Sequence, residues 1–198
     1  LAYFPINAEN WQQGVALETY VTEMLTYRVD MERRMAEVRL TTEDNTRLQQ
    51  LKRPVKLAVL SEDWCIDCLM TLPIAAQMAA VAPTLEMRIF SRNKWLVLKE
   101  FFNERSIMAI PVYAFLTPEF EEFATFVERP QPATEWLNAW KAAHPEVDEL
   151  RRSFSLSSQQ KSARLATIRQ GMQAEMEERY HNAFQSALVA EFATLLGI

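Results

Sequence analysis

The stretch from Val55 to Phe90 constrains this chain more than any other, because it reads as strand, helix and strand in immediate succession. Val55 to Leu60 is a short β-branched and apolar run set off by Pro54, and Leu85 to Phe90 is a second. Between them, Leu69 to Ala82 carries Leu72, Ala76, Met78 and Ala79 at helical spacing. A βαβ unit of this kind calls for a right-handed crossover, and the fold class is therefore α/β. Lys94 to Arg105 adds a helix with Leu96, Val97, Phe101 and Phe102 on its apolar side. Val112 to Leu116 and Phe123 to Val127 follow as strands, and the short connector around Thr117-Pro118-Glu119 favours an antiparallel hairpin. A helix bearing Trp136, Leu137 and Trp140 opens at Pro132.

Helical sequence surrounds this core. Tyr3, Phe4, Pro5 and Trp11 suggest an irregular aromatic arm, and Leu17 through Val38 repeat apolar residues as one helix or two joined helices. Thr41-Thr42-Glu43-Asp44 offers caps for another short helix. From Ser157 to Leu196 there is no proline, and Leu165, Ile168, Met172, Met176, Tyr180, Phe184, Leu188 and Phe192 form an apolar stripe about ten turns long. Gly171 is the expected interruption. The stripe needs a cover, supplied by the chain's other terminal helices or by a second copy in a homodimer. The division is into a helical extension at 1–52, a core at 53–143 and a second helical extension at 144–198.

The 198 residues carry 26 acidic against 21 basic side chains, a formal charge of -5, which repels a phosphate backbone and argues against nucleic acid. No run approaches the 18–20 or so apolar residues that cross a bilayer, and no secretory pattern opens the sequence, so the expectation is a cytoplasmic protein with no membrane partner. Two cysteines, two residues apart, are too few for a stapled secreted scaffold. In a reducing compartment such a pair serves chemistry or metal binding.

The pair stands in Ser61-Glu62-Asp63-Trp64-Cys65-Ile66-Asp67-Cys68, directly beyond a strand, with helical periodicity beginning at Cys68. Unpaired amides at a helix start favour a thiolate, which makes Cys65 the exposed nucleophile and Cys68 the shielded resolving thiol. Trp64 can cover one side of the sulfurs, whereas Glu62, Asp63 and Asp67 oppose the anion, so the couple should be reducing. The spacing also supplies half of many zinc sites, and an inert pair is a further alternative. For zinc, His144 and His181 lie without ligand spacing, and Asp63 and Asp67 make an unusual complement. Arg92, Asn93 and Lys94 could offset the acids, and Met24, Met31, Met35, Met172 and Met176 fall on apolar helical positions that suit packing. Pro73 should bend the site-bearing helix or start a second one. Pro111, after Ile110, heads a strand, where the missing donor costs least.

Taken together, Trp64-Cys65-Ile66-Asp67-Cys68, Pro73, Ile110-Pro111, the paired strands after it and the Trp136-bearing helix resemble the thioredoxin superfamily. Leu60-Ser61-Glu62-Asp63-Trp64-Cys65 with Arg88-Ile89-Phe90-Ser91-Arg92 is similar to a bacterial cytoplasmic branch with terminal helical extensions. The resemblance implies a thioredoxin-like central mixed sheet with flanking helices and added terminal helices. It also implies a cis bond between Ile110 and Pro111, disulfide exchange through Cys65, resolution by Cys68 and docking of a disulfide-containing protein substrate beside Pro111. No cofactor is implied, and a thioredoxin reductase or a small thiol would supply electrons. Three features depart from the family. Ile66-Asp67 replaces the usual Gly-Pro, Val59 stands where a buried aspartate is usual, and the first strand-and-helix unit is not evident. Asp63, Asp67 or water would then have to assist Cys68. The rival function is a redox-inactive interaction module on the same fold.

Overall fold

The computed structural model describes residues 3–198. Strands β1 (Val55–Ser61), β2 (Leu85–Ser91), β3 (Val112–Leu116) and β4 (Glu122–Val127) form one sheet in the order β2-β1-β3-β4. β1 pairs parallel with β2, Val59 opposite Ile89, and antiparallel with β3, Val59 opposite Tyr113. β3 and β4 form the antiparallel hairpin, with a register shift at Phe115/Leu116. The sheet is thus mixed. β1 and β3 are buried almost throughout, as central strands with apolar residues on both faces must be.

The helices preceding β1 are α1 (Leu17–Glu23), α2 (Arg28–Glu37) and α3 (Thr42–Leu48). Thr41 and Asp44 cap α3 reciprocally, side chain to backbone in both directions. The aromatic arm is partly ordered. Trp11 is buried in a single 3-10 turn and donates its indole N–H to Glu86 at 2.8 Å, whereas Tyr3 is 98% exposed and packs on nothing. Val15 then bridges Ile89 on the outer edge of β2. This approach requires Gly14, where a Cβ would sit 2.5 Å from the Phe90 ring and 2.9 Å from the Arg88 Cβ.

The crossover from β1 to β2 is α4 (Ile66–Val81), and β2 leads through a turn at 92–95 to α5 (Leu96–Asn103). α4 begins two residues before the expected start. It is also a single helix through Pro73, which removes the reading of Pro73 as the start of a second one. Proline cannot donate to the Leu69 carbonyl one turn back. Buried Arg34 of α2 supplies that donor, its Nε reaching the Leu69 oxygen at 3.1 Å and its Nη2 the Met70 oxygen at 3.0 Å. Each buried carbonyl left unpaired would cost about 1–3 kcal/mol, so the arginine belongs to the helix it serves.

The remaining helices are α6 (Gln131–Ala143), α7 (Glu146–Arg152), α8 (Ser158–Tyr180) and α9 (Ala183–Leu196). The long apolar stripe breaks at His181-Asn182, not at Gly171, which lies exposed inside α8 with no atom within 4 Å of its Cβ position. Packing groups the chain into two compact units, one running to Arg129 and resuming over Leu188–Ile198, the other Pro130–Ala187. In the first unit Phe192 stands edge-on to Tyr113, Phe115 and Phe126 with ring centroids 5.0–5.1 Å apart, so the sheet itself covers the end of the stripe. In the second, Phe184 packs against Trp136 and Tyr180. Among the described residues no helix is long and apolar enough to cross a membrane.

Candidate functional site

Strand β1 ends at Ser61, and four residues later Cys65 is the N-cap of α4, which puts its sulfur at the orphan amides of the first turn. The Cys65 Sγ accepts the Cys68 N–H at 3.2 Å and donates its thiol proton to the Ile110 carbonyl at 3.3 Å. The Ile110–Pro111 bond is cis, and Pro111 at the start of β3 is buried, its own carbonyl accepting the Glu128 N–H at 2.8 Å. The two cysteines are unbonded thiols one helical turn apart. Cys65 retains 7% of its surface and Cys68 1%, so the order of access is Cys65 first. Trp64 stands beside the pair with half its surface in solvent.

Burial pushes the Cys68 thiol well above its ordinary range, and the neighbouring Cys65 sulfur pushes in the same direction; hydrogen bonds from the Ser61 hydroxyl and the Glu62 backbone act against them. Without a partner, Cys68 therefore stays protonated at neutral pH. Proton loss belongs to the moment when it attacks.

Each acid that could trouble a thiolate here is tied to something else. Glu62 accepts the Ser91 hydroxyl at 2.9 Å and the Asn93 N–H at 2.7 Å. Asp63 accepts the Leu25 and Thr26 N–H groups at 2.7 and 3.0 Å, fixing the turn before α2 in which Tyr27 takes a left-handed φ of 56°. Asp67 forms a two-point ion pair with Arg129, Nε to Oδ1 at 2.7 Å and Nη2 to Oδ2 at 2.5 Å. Two-point geometry with both side chains only 11–13% exposed makes this pair stronger than a surface bridge. Farther out, Lys94 pairs with Glu23, which raises its affinity for a proton.

The sequence-derived residues Asp63, Trp64, Cys65, Asp67, Cys68, Ile110 and Pro111 thus come from two parts of the chain, 63–68 and 110–111, to the head of α4. The suggested assistance of Asp63 or Asp67 to Cys68 is not what their contacts serve, since one caps a turn and the other holds Arg129. Four contributors were missed: Tyr20, Arg34, Ser61 and Arg129. Only Arg34 left a readable signal, because a proline inside a buried helix demands a foreign donor for the carbonyl one turn earlier. His144 stacks on Trp140 and pairs with Glu146 in the second unit, a packing role within that unit.

The thioredoxin family model matches residues 14–141, and the chain belongs to that family. The match begins ahead of the helices that precede β1, so those helices lie inside the family's domain. No curated protein matches the chain. Among solved structures, a protein of unknown function from Pseudomonas aeruginosa is similar over 100% of this chain and 98% of its own, with a TM-score of 0.65 and 20% identity. An HIV epitope-scaffold is similar over 99% of this chain and 98% of its own, with a TM-score of 0.63 and 19% identity. At such identities these likenesses speak to the fold.

Proposed function

We propose that this protein is a thiol–disulfide oxidoreductase that reduces protein disulfides through Cys65 and Cys68. The observation that carries the reading is the unequal pair at the head of α4. One sulfur is seated on the helix amides and reachable, and the other is fully buried one turn deeper. Cys65 as thiolate attacks one sulfur of a substrate disulfide, giving a mixed disulfide and a departing substrate thiolate. Cys68 then attacks the Cys65 sulfur, the second substrate sulfur leaves, and a Cys65–Cys68 disulfide remains. The Ile110 carbonyl, next to the cis bond to Pro111, borders Cys65 and can accept a hydrogen bond from the main chain of an extended substrate, while half-exposed Trp64 adjoins Cys65 in the chain. A thioredoxin reductase or a small thiol returns the pair to the dithiol form. The cycle suits a reducing compartment such as the cytoplasm.

Insulin reduction, followed as turbidity from the released B chain with dithiothreitol as electron source, tests this directly. Catalysis is expected for the full chain and is expected to be abolished in Cys65→Ser; reduced Cys68→Ser, freed of dithiothreitol before it meets insulin, is expected to accumulate as a mixed disulfide with the substrate. Equal turbidity rates for the wild-type chain and Cys65→Ser would leave the fold serving as a binding module.

A further inference from the structure

The C-terminal apolar stripe is covered along only part of its length. Met176 and Tyr180 are buried, whereas Leu165, Ile168 and Met172, spanning the two turns of α8 before them, keep part of their surface open. These three form one wall of a cavity of about 330 Å³ that lies wholly within the second unit, and Trp140 of α6 and Val147 of α7 complete its apolar lining. His144 holds the Trp140 ring in place, stacked on it with centroids 4.0 Å apart. A cavity of this size, apolar within and polar at a few points, has the form of a small-molecule site.

The polar points carry mostly one sign. Asp148 is the one carboxylate among the described residues that line the cavity, and Arg151 holds it at 3.3 Å, while His144 is hydrogen-bonded to Glu146 at 2.7 Å. Lys141 of α6 and Arg169 of α8 remain, both exposed and with no ion-pair partner among the described residues. Two unanswered cations beside an open apolar wall run against the sign of a chain whose formal charge is -5. We infer that this cavity binds a small amphipathic carboxylate, its apolar tail on Leu165, Ile168 and Met172 and its head on Lys141 and Arg169. The planar fork of an arginine suits a carboxylate at two points, and a lysine adds a flexible point charge. A second copy of the chain is a poorer cover, because a two-fold interface would set these same cations against each other. A partner helix is poorer too, since the open part of the stripe is only two turns long, about 11 Å. The site shares no residue with Cys65, Cys68 or Pro111, so it stands or falls apart from the dithiol reading.

Isothermal titration of the full-length protein with sodium octanoate, and with 1-octanol as the same tail without the charge, tests this. Saturable binding of one octanoate per chain is expected, with a Kd below about 1 mM. Replacing both cations, Lys141→Gln with Arg169→Gln, should weaken octanoate about tenfold and leave octanol within about twofold. Added salt should weaken octanoate and spare octanol. Ile168→Glu, which puts an acid on the apolar wall, should abolish the binding of both. If that variant loses melting temperature, the double variant decides, since its two side chains are exposed. The inference is overturned by a wild-type chain that shows no saturable binding of octanoate up to about 1 mM. A double variant that binds octanoate as tightly as the wild type, or loses octanol equally, overturns it as well. So does a wild-type chain that sediments as a dimer and becomes a monomer in Ile168→Glu, because the wall would then belong to a second copy.

Discussion

The rim and the floor of the cysteine site are built from opposite materials. At the rim, Glu62, Asp63, Asp67 and Arg129 carry charge, and each charge is spent on backbone amides, hydroxyls or an opposite partner. On the floor, the buried Ser61 and Tyr20 carry none, and their two uncharged hydroxyls meet at 3.2 Å. The difference teaches that abundance of acids around a thiol pair does not set its electrostatics. A carboxylate already holding N–H or O–H donors, or a guanidinium, presents much less field to a sulfur than a bare one.

The comparison can be broken most forcefully from below. Arg34 sustains the part of α4 interrupted by Pro73, so Arg34→Met leaves the Leu69 and Met70 carbonyls without these donors and should destabilise the protein by about 3 kcal/mol. Urea unfolding would measure it, with the transition midpoint falling and the slope unchanged. A loss below about 0.5 kcal/mol would mean that the helix satisfies those carbonyls by itself.

A smaller effect is expected at the rim. Asp67→Asn removes half of a partly buried two-point pair and leaves Arg129 without its carboxylate, for a cost of about 1–2 kcal/mol. If the rim charges are neutralised where they stand, the rate at which Cys65 attacks a small disulfide should change less than about threefold. An acceleration of tenfold or more would show that the Asp67 charge reaches the sulfur after all, and the contrast between rim and floor would fail.

The mixed sheet, the βαβ unit and the placement of the cysteines were legible because they rest on local signals: β-branched runs, helical spacing and the bounding prolines. The break in the C-terminal stripe was not, because Gly171 lies exposed in α8, where its missing side chain disturbs no packing, while the true break at His181-Asn182 bears no proline or glycine. The floor of the site escaped for another reason. Tyr20 and Ser61 are 41 positions apart and each suits its own element as an ordinary packing residue, so only the fold shows that they meet. The contacts that Asp63 and Asp67 make were not legible either. Their partners, the amides of Leu25 and Thr26 and the guanidinium of Arg129, lie far off in sequence.

Reversible bonding between the two sulfurs is the claim on which the rest depends, and a redox titration reaches it most directly. The full-length protein is equilibrated over a graded ratio of reduced to oxidised glutathione or dithiothreitol, quenched with acid, alkylated and weighed. The account predicts a single two-electron transition between a doubly alkylated species and an unalkylated one, absent when either cysteine is serine. Two thiols that remain alkylatable once unfolded, at every potential down to the most oxidising buffer, would contradict it.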